Sequence, residues 1–235
     1  DETRTIVTSC DGHGGKLYIR SDRGSKFASD AILYVFKKTN EERLLNESRA
    51  ENRIRLAILC KWNGLVEEDI SKRPFTDKEL SILDEDERTL ILQDPQIAYG
   101  TTLNGAMILG KRLICVSLGD GGCFLLKNGT AERIFPEEED NVANITYSMC
   151  QADAYQHIRL KILSISEVDG AMVFTDGFIN PYRTFDNFCT SCIRPILESL
   201  KKGKKEKIVD FVFKLGTEIG IGDDVSLGLL WKDDS

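Results

Sequence analysis

The chain has 235 residues and a mass of 26.4 kDa, with 41% hydrophobic and 29% charged residues, a balance that fits one compact domain and excludes disordered, collagen-like and coiled-coil classes. Its 31 Lys+Arg against 38 Asp+Glu leave a net charge of −7 and a pI near 5.1, which excludes nucleic acid as a partner, because such binders need a basic surface to displace phosphate counterions. No apolar window approaches the roughly 18 residues of a membrane span, so no membrane partner is expected. The first residues, Asp-Glu-Thr-Arg-Thr, lack the basic start and apolar core of a secretory leader. Seven cysteines, an odd number scattered through apolar or element-terminal sequence, read as reduced, mostly buried thiols of a cytoplasmic protein. Cys189 and Cys192 form a single C-x-x-C without a second pair, so they read as helix-associated thiols rather than a metal site.

In chain order, the β-branched run within Arg4 to Cys10 predicts a strand that ends in the glycine-rich turn Asp11-Gly12-His13-Gly14-Gly15. Phe27, Ala28, Ala31, Ile32, Val35 and Phe36 recur at helical spacing, and a second helix is expected from about Glu41 to Trp62. The charged segment from Gly64 to Gln93, which carries Pro74, reads as a loop-rich excursion with weak helical character around Lys78 to Leu83. Strands are expected at Ile97 to Leu109, Arg112 to Leu118 and Cys123 to Lys127, joined by Gly110-Lys111 and Gly119-Asp120-Gly121-Gly122 and followed by Asn128-Gly129; such short connections suggest consecutive antiparallel pairing. The acidic run from Glu137 to Asp140 reads as a solvated loop. Strands resume at His157 to Ile165 and Gly170 to Thr175, helices at Asp186 to Lys201 and Lys205 to Ile219, and a last strand at Val225 to Trp231. Helices early and late around a block of strands argue for an α+β fold with helices packed on the sheet faces, in a single domain over 1–235.

Four aspartates share one setting, each beside glycine at a strand end: Asp11 in DGHGG, Asp120 in GDGG, Asp176 in TDG and Asp223 in GDD. Each alone is an ordinary turn signal. Together they would form an oxygen-only site at a sheet rim, the donor chemistry of hard divalent cations such as magnesium or manganese rather than zinc or copper.

The order DGHGG, YGTT at 99–102, GDGG, TDG and GDDVS resembles the metal-dependent protein serine/threonine phosphatases of type 2C, over essentially the whole chain. The resemblance implies an antiparallel β-sandwich flanked by helices on both faces, in αββα layers. It implies two Mn2+ or Mg2+ ions, bridged by Asp11, with the Gly12 carbonyl on one and Asp176 and Asp223 on the other. Asp120, with Asp176, matches a weaker third-ion site. Asn180 stands where relatives often have a further aspartate, so a third ion should be held weakly at best. His13 matches a histidine proposed as general acid for the departing serine or threonine oxygen, a role that suits a group with a pKa near 6.5. Two ions can activate a water for in-line attack on phosphorus. Gly100, Thr101 and Thr102 read as structural.

Relatives carry another strand upstream of the DG motif, with an acidic metal ligand and often a phosphate-gripping arginine. This chain starts ten residues before Asp11, so that strand is expected to be missing. Arg20 and Arg23 are the nearest candidates for gripping the phosphate; the alternative is that they cap and solvate the first helix. His157 and the basic run Lys201-Lys202-Gly203-Lys204-Lys205 read as structural and solvated, respectively. The expected activity is hydrolysis of phosphoserine and phosphothreonine in phosphorylated proteins, opposing a serine/threonine kinase that acts on the same substrates. The alternative, motivated by the missing strand, is a non-catalytic phosphatase-like binding or regulatory module. A nucleotide hydrolase is disfavoured, because no G-x-x-x-x-G-K-[ST] loop occurs.

Overall fold

The computed structural model describes residues 4–44, 46–136 and 146–232, so the acidic run 137–140 lies outside the described residues. Strand β1 (Arg4–Thr8) leads to helices α1 (Ser21–Lys38), α2 (Glu47–Lys72), α3 (Asp77–Leu80) and α4 (Glu85–Gln93). Strands β2 (Leu103–Leu109), β3 (Arg112–Leu118), β4 (Gly122–Lys127) and β5 (Thr130–Arg133) follow, then α5 (Ala154–His157), β6 (Arg159–Ser164) and β7 (Gly170–Phe174). The short α6 (Phe185–Phe188) passes through a π-turn into α7 (Arg194–Lys201), and α8 (Lys205–Lys214) precedes the last strand, β8 (Leu227–Trp231).

The strands form two antiparallel four-stranded sheets, ordered β1-β2-β3-β6 and β5-β4-β7-β8. They pack face to face through Ala106, Leu113, Cys115, Ala171, Val173 and Leu230. On the outside of the first sheet, Ile32 and Phe36 of α1 and Ile58 and Trp62 of α2 bury Leu103, Met107 and Ile114. On the outside of the second, Phe188, Ile196 and Ile208 bury Phe124, Met172 and Phe174. The result is the expected αββα layering. Because both faces of each sheet are covered, β2 and β7 are almost wholly buried and read as continuous apolar runs rather than alternating ones.

Four expectations from the sequence change. The second helix begins later, at Glu47, after a 3₁₀ turn at Glu41–Leu44, and continues ten residues past Trp62 to Lys72. Its buried stripe, Ala50, Ile54, Ile58, Trp62, Val66 and Asp69, keeps helical spacing straight through Gly64, which has open space around it. The segment read as an excursion then holds two more helices, each started by a reciprocal cap: Thr76 with Glu79, and Asp84 with Glu87. The strand expected from Ile97 starts only at Leu103, because Pro95–Tyr99 form a 3₁₀ turn.

The fourth change matters most for function. β3 and β4 are consecutive but do not pair; β3 pairs with β6 and β4 with β7. The Gly119-Asp120-Gly121 turn instead carries the chain from one sheet to the other, with Gly119 at φ +92, a left-handed conformation that suits glycine. Asp120 is thereby set at the rim between the sheets.

Candidate active site

β1 and β3 point the same way in the first sheet, so Asp11 and Asp120, which follow them, emerge on one rim. In the second sheet β7 ends and β8 begins on a common edge, which sets Asp176 and Asp223 together. The sandwich brings these two edges into register. Ser9, after β1, hydrogen-bonds Ser226, just before β8. Thr175, after β7, donates its hydroxyl to the Asp224 carbonyl at 3.0 Å and receives the Ser226 N–H at 3.0 Å. This hydroxyl clamp had no signal in the sequence, since Ser and Thr occur throughout it.

The segment 100–102 pins the Asp11 turn. Asp11 N–H donates to Thr102 Oγ1 at 2.9 Å, while the Asp11 carbonyl accepts from Thr102 N–H at 2.8 Å and Thr101 Oγ1 at 2.6 Å. His13 N–H donates to the Gly100 carbonyl at 3.1 Å, and Gly12 sits opposite Thr101 in this short antiparallel bridge. Those bonds use the Asp11 and Gly100 carbonyls and leave that of Gly12 outside the pair. A Cβ on Gly12 would lie 2.6 Å from the Ser21 carbonyl oxygen, so the start of α1 can approach only a glycine. Gly100 is constrained likewise: a Cβ there would lie 2.4 Å from the Tyr18 ring. Tyr18 in turn tilts against the His13 imidazole, with ring centroids 4.9 Å apart.

The carboxylates act on one another. Asp11 is pushed up from its ordinary 3.8 to about 7, first by burial and then by the negative charges of Asp176, Asp223, Asp224 and Asp120. Asp176 is also raised, by burial and then by Asp120 and Asp223, although hydrogen bonds from Gly177 N–H and from Asn180 Nδ2 at 2.9 Å oppose the shift. Asp224, adjacent to the expected Asp223, joins the cluster, and Asp120 Oδ2 accepts from Thr146 Oγ1 at 2.6 Å. Burial lowers the His13 pKa from 6.5, with Asp120 opposing, and its buried Nε2 has no hydrogen-bond partner among the described residues.

The structure thus brings together Asp11, Gly12, His13, Asp120, Asp176 and Asp223. The donor chemistry fits hard divalent ions, because the set is all oxygen and its mutual repulsion is what a cation relieves. Among the described residues, however, no three His, Cys, Asp or Glu side chains stand close enough to enclose an ion unaided.

Arg20 and Arg23 are not brought to the site, and the expectation that they grip phosphate is corrected. Arg20 is buried, and all five of its N–H donors are used: two on Glu79, two on the Arg73 and Pro74 carbonyls and one on Tyr99 Oη. Tyr99 Oη donates to Asp69 at 2.8 Å, and Asp69 is also held by Arg23 at 2.9 Å. The hydrogen bonds from Arg20 and Thr76 hold the Glu79 carboxyl at about 2, below its ordinary 4.5. The depressed value makes its stabilising contribution full above about pH 4.5 and lost as pH falls towards 2. Wild type is therefore expected to lose stability over that window more steeply than Glu79→Gln, as read by circular dichroism during acid titration.

The remaining candidates lie elsewhere. His157 stacks on Tyr147 and meets Asp153 at 3.2 Å. Cys192 is buried and all seven cysteines are free. No helix among the described residues is long and apolar enough to cross a membrane.

Residues 1–212 match the family model described as protein phosphatase 2C. Several solved structures share the fold. A bacterial serine phosphatase is 18% identical over 99% of this chain and 93% of its own, with a TM-score of 0.61. Serine/threonine phosphatase Stp1 from Staphylococcus aureus is 14% identical over 98% and 89%, with a TM-score of 0.58. The catalytic domain of the serine threonine protein phosphatase PstP, in complex with two manganese ions, is 16% identical over 97% and 86%, with a TM-score of 0.55. No curated protein matches by sequence.

Proposed function

The chain belongs to the protein phosphatase 2C family, and from that premise we propose that it hydrolyses phosphoserine and phosphothreonine esters in phosphorylated proteins, using two manganese or magnesium ions at the Asp11 rim. The observation that carries this is the arrival of Asp11 and Asp120 from one sheet, and Asp176 and Asp223 from the other, at a common edge where they perturb one another's ionisation.

In this reading Asp11, the Gly12 carbonyl, Asp176 and Asp223 hold the ions, and Asp120 with Asp176 offers a weaker third position. Bound there, the ions would lower the pKa of the attacking water and offset charge on the phosphoryl oxygens. The chain's own groups do the rest. Thr101, Thr102 and the Ser9–Ser226 pair fix the carboxylates on two rigid sheets, so the site is oriented before substrate arrives. His13, whose buried Nε2 has no partner among the described residues, would donate to the leaving alkoxide once substrate binding opens the way to it, and the lowered pKa makes the imidazolium a readier proton donor. Seven free thiols suit a reducing, cytoplasmic setting, with a serine/threonine kinase acting on the same substrates.

A second reading, a phosphatase-like binding module, is favoured by one observation: no three described side chains enclose an ion unaided. Manganese calorimetry together with hydrolysis of p-nitrophenyl phosphate separates the two. The enzyme should bind at least two ions and turn over only with them. Full turnover in chelator, or no ion binding, overturns the proposal.

A further inference from the structure

The arginines near the start of α1 are consumed inside the fold, yet an anion-seeking surface lies beside the site. A cleft of about 560 Å3 is lined by Asp120 and Asn180. Both adjoin Asp176: Asn180 donates to it at 2.9 Å, and Asp120 is a charge acting on it. Phe124, Tyr182 and Phe185 also line the cleft, together with two guanidinium groups, Arg133 and Arg183. Arg133 is held over the Phe124 and Phe185 rings, 5.3 and 4.7 Å from their centroids.

Arg183 is different. It is exposed, and it makes no hydrogen bond or ion pair among the described residues. Its backbone is nevertheless fixed on both sides. Tyr182 packs against Phe188 with centroids 5.4 Å apart, and the Thr184 hydroxyl accepts from Asn187 N–H at 3.1 Å to start α6. A charge on a fixed stem, with no internal partner, lines a cleft whose one described lining carboxylate, Asp120, already accepts from Thr146.

We infer that this cleft holds a residue flanking the phosphorylated one in the substrate chain, and that Arg183 selects an acidic side chain there. The inference rests on the phosphatase reading, because Asp120 and Asn180, which line the cleft, adjoin the Asp176 that the phosphoester would face. A carboxylate meets the planar donor fork of a guanidinium in two parallel hydrogen bonds, and the aromatic walls take its methylenes. A lysine or arginine at the same place would meet two like charges. Arg183 is then a specificity residue that acts on the peptide and not on the phosphoryl group.

The test compares manganese-loaded wild type with Arg183→Ala and Arg183→Glu on three substrates. These are p-nitrophenyl phosphate, a phosphothreonine peptide with glutamate on both sides, and the same peptide with alanine. Wild type should favour the glutamate peptide by about fivefold in kcat/KM, through KM, the yield of one partly exposed charge pair at the upper end of its range. Arg183→Ala should erase the preference and Arg183→Glu reverse it, with p-nitrophenyl phosphate turnover within twofold of wild type for both. A preference that survives Arg183→Ala, no preference in wild type, or an equal loss on p-nitrophenyl phosphate overturns the inference. If wild type fails to hydrolyse p-nitrophenyl phosphate, the phosphatase reading falls by itself. The same peptide comparison is then made by fluorescence anisotropy, which reads the Arg183 preference without turnover: a glutamate preference lost in Arg183→Ala upholds it, and none in wild type overturns it.

Discussion

Asp11→Asn is expected to cut manganese-dependent hydrolysis of a phosphothreonine peptide by at least about 100-fold, the scale on which removing one charge-stabilising group acts. The same substitution should raise the melting temperature of the metal-free chain at pH 8, and this pairing makes the test specific. In the folded chain the Asp11 carboxyl sits at about 7 instead of 3.8, through burial and the four neighbouring aspartates. A carboxyl whose folded pKa lies above its unfolded one opposes folding once pH exceeds the unfolded value, and the loss is complete above the folded value. Between about pH 4 and 7 the metal-free wild type should therefore lose stability relative to Asp11→Asn, which carries no charge to repel its neighbours. Manganese should reverse the order by binding wild type and not the variant. A variant that is both inactive and less stable in chelator at pH 8 would show Asp11 to be a packing residue and sink the metal assignment.

Arg20→Ala should lower folding stability by about 3 kcal/mol or more, the cost of removing one partner from a buried ionic network. The loss takes a donor from two backbone carbonyls and Tyr99 Oη and both guanidinium donors from Glu79, which keeps only those of Thr76. Arg20→Lys should recover little, because an ammonium cannot reproduce five donors in a planar fork. Activity should fall as well, since Tyr99 immediately precedes the Gly100-Thr101-Thr102 segment that fixes Asp11. The measurement is the urea midpoint at constant m-value. A change below about 0.5 kcal/mol, the level of an ordinary surface substitution, would mean that the network is idle.

Legibility in the sequence followed the range of the interactions. The amphipathic period of α1 and the strands β3, β4 and β7 could be read directly, because each is set by residues a few positions apart. The capping boxes Thr76–Glu79 and Asp84–Glu87 were equally local signals, and they mark the helices that a charged segment with Pro74 had hidden. The far end of α2 was harder to read, because its polar buried residue, Asp69, depends on Arg20, Arg23 and Tyr99, which lie 30 or more positions away, as well as on Arg73 one turn on. The same distance explains the misplacement of Arg20 and Arg23. An arginine just after a glycine turn invites an anion, and nothing local reveals that Glu79 and Asp69 have already taken it.

The sequence by itself determined the αββα class, the family and the acidic positions Asp11, Asp120, Asp176 and Asp223, because strand-end turns and their order along the chain are local properties. The tertiary structure decided what those positions amount to. The crossing at Gly119–Gly121 splits β3 and β4 between two sheets, and the Ser9, Thr175 and Ser226 bonds hold the two edges together. Only that alignment brings the aspartates close enough to shift one another's protons, since the force between charges depends on separation in space and not along the chain. The fate of the arginines was settled in the same way: burial used up Arg20, and exposure left Arg183 lining the cleft.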